Sequence, residues 1–195
     1  MEDQFDLMQL SDSLRSALLL SEAIDTRLML EHAWSPETAY QGIALQPKDV
    51  PSRGQCGVSS LYYALRMQER GFDMHFVEGV IHIDGYRGEH VWAQEQGNGH
   101  EPTAIDLTSD QYRTLRGTSI HIGLYEDHPG IGYYEPVEYF KPDKVPHKKM
   151  LARFALLQAN IANLPRRHKR HTQTNSLGKM IARQGAEPLG APARF

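Results

Sequence analysis

The stretch "RGQCGVSSLYYALRMQERG", residues 53–71, holds the single cysteine of the chain, Cys56, between Gly54 and Gly57. Downstream of it Val58, Leu61, Tyr62 and Leu65 recur at three- and four-residue spacing, which predicts a helix that opens at Cys56 and stops at Gly71. A thiol used only for packing usually sits inside an apolar run, whereas Cys56 opens one. The unpaired N–H groups and partial positive charge of a helix N-terminus favour a thiolate, so the position makes Cys56 a candidate nucleophile. The plainer reading is a small, inert, buried side chain.

Around this helix the pattern predicts an α+β chain. Apolar residues at Leu14, Ala17, Leu18, Ile24, Leu28 and Met29 give residues 11–33 helical periodicity, with Ser11 and Ser13 as candidate caps. Residues 34–54 carry three prolines, two glycines and no period, and read as a long loop delivering the chain to Cys56. After Gly71 the period changes. Residues 72–83, 89–93, 103–107 and 119–125 read as strands, the first as one strand or as a pair broken near Gly79, with turn signals at Asp84-Gly85 and Gly97-Asn98-Gly99. A final helix is expected over 146–164, with Met150, Leu151, Phe154, Leu157, Ile161 and Leu164 on its apolar stripe. A nucleophile helix packed on an antiparallel sheet, with helices at both ends, is the expected fold.

A thiol nucleophile needs a base for its proton and a group that orients the base. Two stretches supply them in order, "GEHVWAQ" with His90 and "TAIDLTSDQ" with Asp106, each on a predicted strand. Adjacent antiparallel strands bring same-face residues together, so the two can be cross-strand neighbours facing Cys56. Asp is disfavoured within a strand, and its apolar neighbours Ile105 and Leu107 imply that it has a partner there. Gly54 and Gly57 leave room for a carbonyl to approach the backbone, where the N–H groups of Cys56 or Gly57 can receive an oxyanion.

"GQC" opening a helix, "HVW" on one strand and "IDLT" on the next resemble the transglutaminase-like core of the papain-like cysteine enzymes, whose Cys, His and Asp follow in that order. Within that superfamily the residues Gly54-Gln55-Cys56, His90 and Trp92, and Asp106-Leu107-Thr108 with Gln111 are most similar to small bacterial YunG-like proteins. The resemblance covers residues 54–112 and implies attack on an acyl carbon through a thioester, with hydrolysis, deamidation or transfer as outcomes. It departs from papain-like proteases before the nucleophile, where their oxyanion glutamine is replaced by Pro51 or its neighbours. Gln55, with Gly57 and Trp92, is therefore a substrate or oxyanion candidate, and Gln41 and Gln46 lie further back in the loop.

A rival constellation uses the same thiol. His121, in "SIHIGLYEDHPGIGYYEP", resembles the histidine strand of cell-wall peptidases of the NlpC/P60 type and is an alternative base. A third reading, from another class, is a non-catalytic binding protein on the same fold.

Composition narrows the rest. The 195 residues carry a net charge of −3, but residues 1–140 hold 9 Lys and Arg against 22 Asp and Glu, while residues 141–195 hold 12 against 2. An acidic body, residues 1–165, with a basic tail, residues 166–195, is the expected organisation, and the tail can dock an acidic partner or nucleic acid. One cysteine excludes an internal disulfide, and no apolar run approaches membrane-spanning length. With no signal-peptide pattern the expected location is the cytoplasm, secretion by a non-classical route aside. Histidines 75, 82, 90 and 100 show no metal-ligand spacing, and no phosphate-cradling loop is present, so neither a metal nor a cofactor is expected. A protein or peptide is the expected substrate.

Overall fold

In the computed structural model, residues 12–40, 50–83, 86–96, 101–112, 120–123 and 133–165 are described. The basic tail, both predicted turns, and Gln41 and Gln46 lie outside these residues. The fold is α+β. A first helix, α1 (Asp12–Ala33), is followed by α2 (Cys56–Gln68), the strands β1 (Met74–Ile83), β2 (Tyr86–Glu95), β3 (Thr103–Asp106), β4 (His121–Gly123) and β5 (Tyr134–Phe140), and the last helix α3 (Lys148–Asn163). Short 3-10 turns occupy Ser109–Gln111 and Pro142–Lys144.

The five strands form one antiparallel sheet in the order β4-β3-β2-β1-β5. β1 is one strand of ten residues rather than a broken pair, two residues shorter at its start than the expected segment. The irregularity at Gly79 lies instead in its pairing with β5, where the register shifts between Glu78 and Gly79. Gly79 pairs with His90 on one side and Pro136 on the other. A Cβ there would strike the carbonyl of Glu135 and the indole of Trp92, so the absent side chain is the space that the Trp92 ring fills. β5 is the strand that the sequence reading does not anticipate. Its Pro136 argues against a strand, yet β5 is an edge strand, where a missing ladder donor is tolerated.

The sheet's two faces bury different chemistry. Met74, Phe76, Ala93 and Ile105 point to one face and pack under the helices with Leu30, Leu61, Tyr63, Met67, Met150 and Leu157. Val77, Ile81, Trp92, Ala104 and Tyr134 form a smaller cluster on the opposite face.

α1 has the expected helical period but only part of the expected buried stripe, since Met29 is buried and Leu18 packs against the core. Leu14, Leu20, Ile24 and Leu28 are exposed, while Arg15, Glu22, Thr26 and Arg27 are buried with Leu19, Ala23 and Leu30. The buried charges are paired: Arg15 bonds Glu95, Glu22 receives Arg66 at 3.0 Å and Arg70 at 2.7 Å, and Arg27 reaches Asp110 at 2.7 Å. A charge buried with its partner costs far less than one buried alone, and hydropathy spacing carries no record of the partner.

Candidate active site

Cys56 is the first residue of α2, as its sequence position predicts. The turn before it depends on Gly54, whose φ of 70° is left-handed and whose carbonyl accepts the Tyr40 N–H at 2.8 Å. Gly54 thus serves the backbone turn. Gly57 faces α3, where a Cβ would come within 3.2 Å of Met150 Cγ, so its missing side chain lets α3 approach. Gln55 is buried, and its carboxamide ties the preceding loop to the helix: Nε2 donates to the Ser35 carbonyl at 3.0 Å, and Oε1 accepts from Thr38 Oγ1 at 2.9 Å.

His90 and Asp106 meet beside Trp92 and Tyr134. The β2–β3 ladder includes Ala93 with Ile105 as its pair nearest the site, and beyond it the chain leaves β3 through the turn that carries Thr108 and Gln111. In that opening His90 Nε2 lies 2.8 Å from Asp106 Oδ2, both side chains fully buried. The other Asp106 oxygen, Oδ1, accepts the Thr108 N–H at 2.8 Å and the Thr108 hydroxyl at 2.9 Å. Tyr134 donates its phenol hydrogen to Asp106 Oδ2 at 3.0 Å. A carboxylate is acceptor-only, so the hydrogen between it and His90 belongs to Nε2, and Nδ1 is left for chemistry.

Electrostatics follow from this packing. Burial disfavours the cationic ring, but the charge and hydrogen bond of Asp106, together with a hydrogen bond and charge interaction with the Cys56 side chain, push the His90 pKa up to about 10. Burial likewise opposes the Asp106 anion, and His90 and the two Thr108 donors outweigh it, bringing Asp106 down to about 2. Burial, then the Asp106 charge, holds the Tyr134 phenol well above its usual value, so it remains a donor.

The structure therefore brings together Cys56, His90 and Asp106. Trp92 is fully buried, with its ring centroid 6.3 Å from that of His90, and packs edge-on against Tyr134 at 5.1 Å. It backs the imidazole. His121 pairs across the sheet with Asp106, and its ring stacks on Tyr134 at 5.3 Å, placing it beside the carboxylate.

Tyr134, Tyr112 and Arg27 are neighbours of the site that the sequence reading does not single out. Tyr112 sets its ring edge against His90 at 5.3 Å. Arg27, on α1, bonds the Leu107 carbonyl and both Asp110 oxygens, and so clamps the turn that follows Asp106. Tyr134 belongs to a strand masked by its proline. For Arg27 the sequence offered only a charge inside an apolar helix.

Among the described residues no group of His, Cys, Asp and Glu forms a metal-binding cluster, and no helix is long and apolar enough to cross a membrane. Comparison of the chain with family models, curated proteins and solved structures gives no match.

Proposed function

We propose that the protein is a thiol-dependent acyl-transfer enzyme with a Cys56-His90-Asp106 triad, of the transglutaminase-like, papain-like type that its motifs resemble. The observation that carries this reading is the buried His90–Asp106 pair at 2.8 Å, whose imidazole also interacts with the one thiol of the chain. In the reaction the Cys56 sulfur attacks the carbonyl carbon of a carboxamide or peptide while its proton passes to His90 Nδ1. Collapse of the tetrahedral intermediate breaks the C–N bond, and His90 returns the proton to the leaving nitrogen. A thioester remains, and water or an amine then attacks it, giving an acid or a new amide and freeing the thiol. Asp106 holds the Nε2–H tautomer and stabilises the cation formed in passing.

The test is the rate of iodoacetamide alkylation of the full chain against pH, in wild type, His90→Ala and His121→Ala. A fast limb at low pH, lost in His90→Ala and kept in His121→Ala, is the expected result. Loss in His121→Ala alone transfers the base to the peptidase-like alternative. Slow alkylation in wild type, indistinguishable from both variants, favours the binding-protein reading.

A further inference from the structure

The carboxamide of Gln111 stands on the ring nitrogen that the reaction needs. Its Nε2 lies 3.3 Å from His90 Nδ1 and 3.2 Å from Thr108 Oγ1. The hydrogens of its partners decide which end of a carboxamide faces them. Thr108 has one hydroxyl hydrogen and gives it to Asp106 Oδ1 at 2.9 Å. Its oxygen is left as an acceptor and takes an N–H from Gln111. The same amide nitrogen then offers its second hydrogen to Nδ1, which accepts it only when unprotonated.

Four residues thus close a ring: Asp106, Thr108, Gln111 and His90, returning to Asp106 through Nε2. A neutral imidazole satisfies every link. A proton on Nδ1 would set two N–H groups against each other, and turning the amide would set its oxygen against the lone pairs of Thr108. The turn bearing Gln111 is held from behind by Arg27, through the Leu107 carbonyl and Asp110.

Building on the nucleophile reading above, we propose that Gln111 is an amide latch, whose N–H opposes a proton on His90 Nδ1 and so weakens the pairing of imidazolium with thiolate until an entering acyl group draws the amide away. The releasing ligand must offer the amide an acceptor, as the carbonyl oxygen of a carboxamide or peptide does. The titratable groups that face His90 are Asp106 from β3, Cys56 from α2, Tyr134 from β5 at 6.2 Å between rings, and Tyr112 beside the turn. His121, from β4, pairs with Asp106 across the sheet and stacks on Tyr134. Asp106 and the thiol favour the imidazolium, and the Gln111 amide opposes it. Gln111 is a positioning residue in this scheme, since it acts through His90.

The same alkylation profile tests the latch, with Gln111→Ala and Thr108→Val added. Loss of the amide donor is expected to move the midpoint of Cys56 alkylation to lower pH by about one unit, the tenfold that one hydrogen bond is worth. Thr108→Val keeps Gln111 but frees its orientation, and is expected to shift the midpoint the same way; it carries the test if Gln111→Ala does not fold. A midpoint that stays or rises in these variants, while His90→Ala still abolishes the fast limb, overturns the latch and leaves the triad standing. A profile indifferent to His90→Ala removes the triad and the latch with it.

Discussion

The two faces of the sheet solve burial in opposite ways. Under the helices, Phe76, Ala93, Ile105, Leu61 and Leu157 exclude water by apolar contact, and shape is what they must match. On the other face, His90, Asp106, Gln94 and His121 are buried among Trp92, Ala104 and Tyr134, and what must match there is donors to acceptors. The first face is tolerant of chemistry-conserving change at its apolar positions. The second is joined by the hydrogen bonds around Asp106 and is coupled to proton concentration through the His90–Asp106 pair.

The sharpest way to break this contrast is Asp106→Ala. It leaves His90, Thr108 and Tyr134 facing a buried void, so a loss of about 4 kcal/mol is expected in denaturant unfolding, together with the fast alkylation limb. The pH dependence has a definite sign. Asp106 is depressed from 3.8 to about 2, so its contribution is present above the higher value and disappears as pH falls through the lower. His90 is raised from 6.5 to about 10, so its contribution is complete below the lower value and disappears as pH climbs to the higher. Thermal melts should therefore be most stable between these limbs, and Asp106→Asn should flatten both. A wild-type melting curve with no alkaline limb would separate the pair from stability altogether.

On the helix-covered face, Leu61→Ala should cost about 3 kcal/mol through lost burial and a cavity. Its melting temperature should fall equally at every pH, because the substitution adds and removes no titratable group. A pH-dependent loss would mean that the two faces are not independent. Gly79→Ala is the smallest of the three, about 2 kcal/mol, and it acts at the junction. The added methyl pushes on Trp92, which backs His90, so a shift in tryptophan emission should accompany a modest slowing of alkylation. Slowing without an emission change would place the effect in the backbone of β1.

The same contrast explains what could be read from sequence. The Cys56 helix was legible because apolar periodicity, the flanking glycines and the isolated thiol all coincide there. Asp106 was legible as an ionisable group between the apolar Ile105 and Leu107, and His90 through Trp92 beside it and the order of Cys, His and Asp along the chain. The buried face of α1 was not, since Arg15, Glu22 and Arg27 look like solvent-facing residues until Glu95, Arg66, Arg70 and Asp110 are brought to them across the fold. Gln111 appeared in the sequence only as part of a motif. Its orientation depends on where a hydroxyl hydrogen goes, which is a property of the assembled ring.

Arg27 clamps a turn that lies 80 residues further along the chain. During synthesis from the N-terminus, α1 and the thiol emerge long before Leu107 and Asp110 exist to be grasped. Long-range closure of this kind comes late in folding, because the loop entropy must be met before the contact returns anything. On the proposed reading Cys56 is therefore made first and armed last, so a nascent or half-folded chain carries its thiol among its neighbours on the ribosome without the partners that would activate it.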